Sequence, residues 1–156
     1  MYSRLFVPIF IIIAMVVGVR YTLLFQGETA NANARYQKDA SDIGIYLHKA
    51  LLPSVTVPDR AAIDSALADA LLLSPDLAAA RLDFAGGHLE ALRQPPPRSD
   101  VPAWFSRLHP LEPIRRHIYI GTASLVLEFD PTLPVARVWE SVWKQMVITA
   151  LNVTVI

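Results

Sequence analysis

The chain has 156 residues, of which 53% are hydrophobic, and its 14 basic and 14 acidic side chains leave no formal net charge. A balanced charge excludes the basic footprint of a nucleic-acid-binding protein, and the absence of cysteine excludes a disulfide framework and a cysteine metal site. The mean hydropathy of +0.36 is high for a soluble domain, and the excess lies at the two ends of the chain. We therefore expect one domain, residues 26–141, between two apolar segments.

Residues 1–25 are predicted to form a first transmembrane helix. Leu5 to Val19 is an unbroken apolar run, and the roughly 20 residues that a membrane-crossing helix needs are reached only when Arg20 is included. An arginine near a helix end extends its charge to the lipid headgroups, so we place Arg20 at the membrane interface. The alternative is a cleaved signal peptide, with small-residue cleavage sites at 30–32 or 32–34. Both sites lie far beyond the apolar run, which favours the uncleaved anchor.

A long helix is predicted from Gln26 to Leu52, continuous with the membrane segment and ended by Pro53. Its apolar residues follow the spacing of one helix face. That stripe comprises Tyr36, Ala40, Ile43, Leu47 and Ala50. The stripe has two interpretations, which are packing on the core of the domain and a seam between two copies of the chain.

The middle of the chain predicts a short link from Ser54 to Pro58, a second helix and a β-hairpin. Asp59 is placed to cap the helix. The apolar stripe of this helix comprises Ile63, Leu67, Ala70 and Leu71. Leu77 to Phe84 alternates as a strand does, Gly86-Gly87 predicts the turn, and His88 to Arg93 completes the hairpin. Three prolines at 95–97 predict a rigid, exposed connector.

A short helix is predicted at Asp100 to Leu108, followed by a second hairpin from His117–Ile120 and Leu125–Phe129. Asp130 and Pro131 then predict the cap and first position of a final helix. The apolar stripe of the final helix comprises Val135, Val138, Trp139 and Val142.

Residues 142–156 are predicted to be the start of a second transmembrane helix, within which the sequence stops. Trp139, Trp143 and Lys144 precede or open this segment, where aromatic and basic side chains favour the membrane interface. The whole pattern predicts an α+β fold, with a small antiparallel sheet packed with helices and flanked by transmembrane helices.

The sequence contains no phosphate-binding loop, nucleophile elbow or zinc-protease motif, and no histidine has a partner at metal-ligand spacing. We therefore predict no catalytic, cofactor or metal site and no enzyme activity in this part of the protein. Two recognition elements are candidates for contact with a ligand or partner. Trp104 would contact a partner or close the core. Arg115 and Arg116 would clamp an anion or form a solvated turn.

The string Val101-Pro102-Ala103-Trp104-Phe105, then Leu111-Glu112-Pro113, a hairpin and a helix carrying Val138-Trp139, resembles the periplasmic input domain of the LapD/MoxY family. The resemblance implies an inner-membrane bacterial receptor with a PAS-like periplasmic domain that forms homodimers. It also implies a cytoplasmic output beyond the second span, which is either a HAMP segment with GGDEF and EAL domains that handle cyclic-di-GMP or a histidine kinase.

The chain departs from that family in its second hairpin. LapD holds a periplasmic protease through a tryptophan on this hairpin, whereas Ile118 to Phe129 contains none. The leading hypothesis is therefore a membrane-bound sensory region that responds to a small ligand or a periplasmic protein and controls a cyclic-di-GMP module. The alternatives are the sensor of a histidine kinase, a periplasmic docking module that signals from inside to outside, and a secreted protein with a cleaved leader.

Overall fold

The computed structural model describes residues 3–57, 59–94, 101–108 and 110–154. Within them the helices are α1 (Ser3–Thr56), α2 (Arg60–Leu73), α3 (Ala103–Leu108) and α4 (Thr132–Thr154). The strands are β1 (Leu77–Phe84), β2 (Gly87–Leu92), β3 (Ile114–Ile120) and β4 (Ala123–Phe129). The fold class is α+β, as predicted. The predicted connector at 95–97 and the predicted helix start at Asp100 lie outside the described residues.

Helix α1 is 54 residues long and runs without interruption from the apolar segment into the folded domain. At 1.5 Å per residue it spans about 80 Å. Its first part contains an 18-residue stretch with a mean hydropathy of 2.2, none of which is buried. Among the described residues, α1 is the one helix long and apolar enough to cross a membrane. The predicted span at 142–156 stays a prediction.

The four strands form one antiparallel sheet in the order β2-β1-β4-β3. Within each hairpin the two strands pair with each other, β1 with β2 and β3 with β4. The two hairpins are joined by the pairing of β1 with β4. Strand β4 shows why the sheet has one covered face, because Ala123, Leu125, Leu127 and Phe129 are buried while the residues between them are half-buried. Side chains alternate along a strand, so this pattern places every second residue against the helices.

The core lies between the sheet and the helices α1 and α2. Helix α1 packs on β3 and β4, and α2 packs on β1 and β2. The predicted stripe of α1 contacts this core, with Tyr36, Ala40 and Leu47 at most 1% exposed. The interpretation of the stripe as core packing is confirmed for its buried members Tyr36, Ala40, Ile43 and Leu47, whereas Ala50 is half-buried.

Two local interactions hold the second helix in place. Asp59 caps α2 as predicted, because its Oδ1 accepts hydrogen bonds from the backbone N–H groups of Ala61 and Ala62, each at 3.1 Å. At the other end, the Arg93 guanidinium donates to the carbonyl oxygens of Leu71 and Ser74, and its Nε donates to Leu77 at 3.0 Å. A cation at a helix C-terminus satisfies carbonyls that lack helical partners. Arg93 thereby connects the end of β2 to α2 and β1.

Several predicted boundaries need correction. Pro53 does not end the long helix, because α1 continues to Thr56 and the predicted link at 54–58 is partly helical. The backbone N–H of Val57 still bonds to the Pro53 carbonyl at 3.1 Å, so the helical hydrogen bonding continues past the proline. The second hairpin is longer than predicted, with Gly121 at a φ of 60° in its turn. Such a positive φ favours glycine.

Candidate functional site

Aromatic side chains join three helices at the point where the apolar segment of α1 ends. The Phe105 ring on α3 is fully buried and lies edge-on to Phe25 of α1 at a centroid distance of 5.4 Å. It also contacts Trp139 of α4 at 4.9 Å. Trp104 contacts Trp139 at 5.8 Å, and Trp143 stacks on Trp139 at 5.8 Å. Edge-on and offset aromatic pairs are favourable beyond the area they bury, so this aromatic cluster links α1 to α4 through α3.

An apolar cavity of about 290 Å³ lies beside the aromatic cluster, between α1 and α4. Trp104 and Phe105 form one wall. The remaining lining comes from residues 21–28 of α1 and 142–146 of α4, with the polar groups of Glu28 and Gln145 among them. The two long helices are therefore not fully packed against each other at this level.

A polar cleft of about 230 Å³ follows on the domain side of the cavity. Asp76, in the turn before β1, is 3% exposed and pairs with Arg137 of α4 at 2.5 Å between Oδ1 and Nη2. The backbone carbonyl of Asp76 accepts a hydrogen bond from the N–H of Asp130 at 2.9 Å. Asp130 in turn caps α4, since its Oδ1 accepts from the Thr132 N–H at 2.8 Å. Asp76 thus connects the start of β1 to the start of α4 and to its second turn.

Tyr36 of α1 also lines this cleft and is 1% exposed. Burial raises the pKa of Tyr36 to about 12, the nearby backbone of Ile114 opposes the increase, and the charges of Asp130 and Asp76 add to it. No hydrogen bond of normal geometry reaches the phenol oxygen among the described residues. Because its pKa is this high, the phenol is neutral at physiological pH.

The structure separates the two arginines that were predicted to clamp a ligand. Both lie inside β3 rather than in a turn, and successive side chains of a strand point to opposite faces. Arg115 is on the outer face, where it pairs with Glu128 at 2.8 Å. Arg116 is opposite Leu127 on the side of α1. The two guanidinium groups therefore cannot hold one ligand together.

The other predicted site residues lie on the long helices and α3. Trp104 is 55% exposed and Trp143 is 53% exposed, whereas Trp139 is half-buried in the aromatic cluster. Lys144 is exposed and pairs with Glu140 at 2.7 Å, one turn away. Arg20 is exposed within the apolar part of α1. Their assignment to a membrane interface stays a prediction.

The outer face of the sheet carries an arrangement of charges that no sequence motif indicated. A row of alternating charges crosses it, with Glu90 against Arg81, Arg81 near Glu128, and Glu128 against Arg115. His88 also pairs with Asp83 across the first hairpin at 2.6 Å, a carboxylate partner that was not expected. The described residues contain no group of three potential metal ligands, and alternating charges of this kind are typical of a solvated sheet face.

No protein-family model matches this sequence, and no curated protein matches it significantly. The candidate functional site is the junction of α1 and α4, where the aromatic cluster, the apolar cavity and the Asp76–Arg137 pair follow one another along the two helices.

Proposed function

We propose that this chain is the sensory region of a bacterial inner-membrane receptor, with a PAS-like domain in the periplasm. The observation that carries the proposal is the continuity of α1. Its first part exposes apolar side chains all round, and its second part buries a stripe in the core of the domain. A helix that is apolar on every face is stable in lipid rather than in water, so one rigid element connects the bilayer to the folded domain.

The arrangement of α4 supports a signalling role. Helix α4 begins at the end of the sheet, where Asp130 caps it and Arg137 pairs with the buried Asp76. It then passes the aromatic cluster and continues toward the second apolar segment. A ligand or partner that moved the sheet relative to α1 would therefore shift α4 along α1. Such a mechanism needs two arrangements with different contacts, and the unfilled cavity beside the aromatic cluster provides the room for them.

The proposed homodimer would use a surface of α1 different from the buried stripe. Ile45 and Leu52 lie two turns apart and are 53% and 47% exposed, and Tyr46 beside them is 38% exposed. Exposed apolar residues two turns apart on one helix are typical of helix–helix contacts. A copper-catalysed cross-link through Ile45→Cys in membranes, absent from Asp69→Cys on α2, is the expected result.

The output domain is proposed from the resemblance to the LapD/MoxY family alone. A GGDEF/EAL module that makes, degrades or binds cyclic-di-GMP is the first choice, and a histidine kinase is the alternative. Either would receive the movement of the second span.

A periplasmic docking module that signals from inside to outside is the second candidate function. The observation that favours it is the exposure of Trp104, because a fully buried Trp104 would have removed its main contact residue. If this candidate is right, Trp104→Ala should abolish capture of a periplasmic protein while the fold survives.

A chimeric receptor tests the sensory proposal. Residues 1–156 would replace the sensory region and spans of a two-span kinase with a transcriptional reporter. We expect Arg137→Ala, which releases α4 from Asp76, to change the reporter output several-fold, whereas Asp64→Asn on the exposed side of α2 leaves it unchanged. Equal output from the unmodified chain and Arg137→Ala, at equal membrane levels, would contradict the proposal.

A further inference from the structure

Helix α3 packs against α1 and α4 at a fixed position along both helices. Phe105 is its buried anchor, because it contacts Phe25 at 5.4 Å and Trp139 at 4.9 Å. Phe25 is the last residue of the predicted first span, and Trp139 precedes the predicted second one. Both contacts therefore place α3 level with the ends of the two apolar segments.

Beside Phe105, the surface of α3 carries exposed apolar side chains. Trp104 and Leu108 lie four residues apart, and therefore on one side of the helix, and they are 55% and 63% exposed. Trp143 of α4 adds a further indole that is 53% exposed and lies one turn beyond Trp139 on the side of the apolar segment. An uncovered tryptophan and leucine beside an apolar helix surface form a continuous apolar area.

The charge of α3 favours an anionic surface, and its tryptophan favours a lipid one. Its six residues include no acidic side chain, and Arg107 in its last turn is exposed. Tryptophan is enriched at the headgroup level, where its ring is in the apolar region and its N–H is hydrated. A basic side chain next to it is attracted to lipid phosphates.

We propose that α3 is an interfacial foot, in which Trp104 and Leu108 insert into the headgroup region of the bilayer and Arg107 contacts lipid phosphates. The partner is the surface of an anionic bilayer. This inference rests on the proposed function only in that α1 crosses the membrane. Through Phe105, the foot would connect the position of the lipid surface to the contact between α1 and α4.

Depth-dependent fluorescence quenching tests the foot on the full chain in vesicles that contain phosphatidylglycerol. Trp104 is made the single tryptophan by Trp139→Phe and Trp143→Phe. We expect a blue-shifted emission, stronger quenching by lipids brominated near the headgroup than by lipids brominated deep in the chains, and quenching by acrylamide several-fold weaker than for a water-exposed indole. Tyr119→Trp, in a background with all three native tryptophans replaced by phenylalanine, provides that exposed reference, because Tyr119 is 75% exposed on the sheet.

A second measurement avoids any change in the aromatic cluster. The chain has no cysteine, so Leu108→Cys introduces a unique site for a spin label. We expect its collisions with oxygen to exceed those with a water-soluble nickel chelate. A label on Leu108→Cys that collides freely with the chelate, together with a Trp104 that acrylamide quenches like the Tyr119→Trp reference, would overturn the foot and leave this face to a protein partner.

A matched probe separates this inference from the proposed function. Ile12→Trp, in the same background without native tryptophans, lies within the apolar part of α1 and is expected to be quenched by deeply brominated lipids. If Ile12→Trp is quenched in this way and Trp104 is not, the foot is wrong and the anchor stands. If Ile12→Trp is not quenched by lipids, the membrane anchor itself is wrong, and the foot is overturned with it.

Discussion

The two halves of α1 contain similar apolar side chains in different surroundings. In the first half, Phe10, Ile12 and Met15 are 61–73% exposed, and the neighbouring side chains on every face are exposed as well. In the second half, Tyr36, Leu47 and Leu51 are at most 1% exposed, because the sheet covers one face of the helix. The periodicity of the sequence encodes this difference, since apolar residues on all faces favour lipid and a single apolar stripe favours a protein core.

The glycines of α1 show the same difference at the level of atoms. A Cβ added at Gly27 would meet nothing within 4 Å, whereas one at Gly44 would lie 2.9 Å from the Cδ1 atom of Ile118 on β3. The helix therefore approaches the sheet closely at Gly44, and its membrane-proximal part has no neighbour at Gly27. A larger side chain should therefore lower stability at Gly44, in the second half of α1, and should have little effect at Gly27.

Truncation of core residues should give the largest effect. Leu47→Ala removes a fully buried side chain, and we expect it to lower the free energy of unfolding by about 2–5 kcal/mol through lost burial and the cavity left behind. Ile12→Ala, in the exposed half, should change it by less than about 0.5 kcal/mol. Urea unfolding of the full chain in detergent micelles, followed by near-ultraviolet circular dichroism, measures both. Equal effects of the two substitutions would contradict the different surroundings of the two halves of α1.

The buried phenol should make the domain half sensitive to high pH. The pKa of Tyr36 is raised to about 12 in the folded state and is about 10 in an unfolded chain. The stability that the neutral phenol contributes is therefore fully present below pH 10 and is lost as the pH rises toward 12, by about 2–3 kcal/mol in total.

The matched variant for this prediction is Tyr36→Phe. It should unfold with a smaller decrease in stability between pH 10 and 12, because phenylalanine has no group that ionises in this range. Unfolding curves for both chains at a series of pH values provide the measurement. Parallel decreases in stability for the two chains would show that other groups cause the alkaline unfolding.

Overfilling the close approach of α1 to β3 should have a somewhat smaller effect. Gly44→Leu forces the end of the Ile118 side chain to move, and we expect a loss of about 1–3 kcal/mol. Gly27→Leu places the same side chain where nothing opposes it and should be neutral or slightly stabilising, since leucine favours helix more than glycine does. Thermal unfolding in micelles compares the two. A stable Gly44→Leu chain would contradict the register between α1 and the sheet.

Loss of the ion pair at the start of α4 should have the smallest effect of this series on stability. Arg137 is 55% exposed while Asp76 is 3% exposed, so Arg137→Ala leaves a carboxylate buried without its cation, which costs about 1–2 kcal/mol. The double variant Asp76→Asn with Arg137→Ala should recover part of this loss. A double variant that is less stable than Arg137→Ala would show that the carboxylate has another essential partner.

The elements of the fold were largely predictable because each depends on local sequence. The alternation in Leu77 to Phe84 and the cap at Asp59 gave β1 and the start of α2 correctly. The end of α1 was not predictable, because a proline usually ends a helix and here the helix continues for three more residues, to Thr56. The strand pairing of β1 with β4 was also not predictable, because it joins residues about 45 positions apart.

The candidate site was less predictable than the fold. Trp104 and Trp139 stood out in the sequence, but their contact with each other and the contact of Trp139 with Phe105 depend on how three helices meet. The pair of Asp76 and Arg137 joins a turn to a distant helix, and neither residue belongs to a motif. Arg115 and Arg116 were predicted to act together because they are neighbours in the sequence. They lie in strand β3, where successive side chains point to opposite faces of the sheet.

Site-directed labelling in spheroplasts tests the central claim that α1 crosses the membrane and continues unbroken into a periplasmic domain. Because the chain has no cysteine, Ile12→Cys and Asp69→Cys each carry one thiol on an exposed side chain, the first in the apolar part of α1 and the second on α2, away from the proposed dimer contact. With a membrane-impermeant maleimide, we predict that Asp69→Cys reacts in intact spheroplasts and that Ile12→Cys reacts only after detergent is added. Reaction of both cysteines before detergent, or of Asp69→Cys only after lysis, would contradict a membrane-spanning α1 that leads into a periplasmic domain.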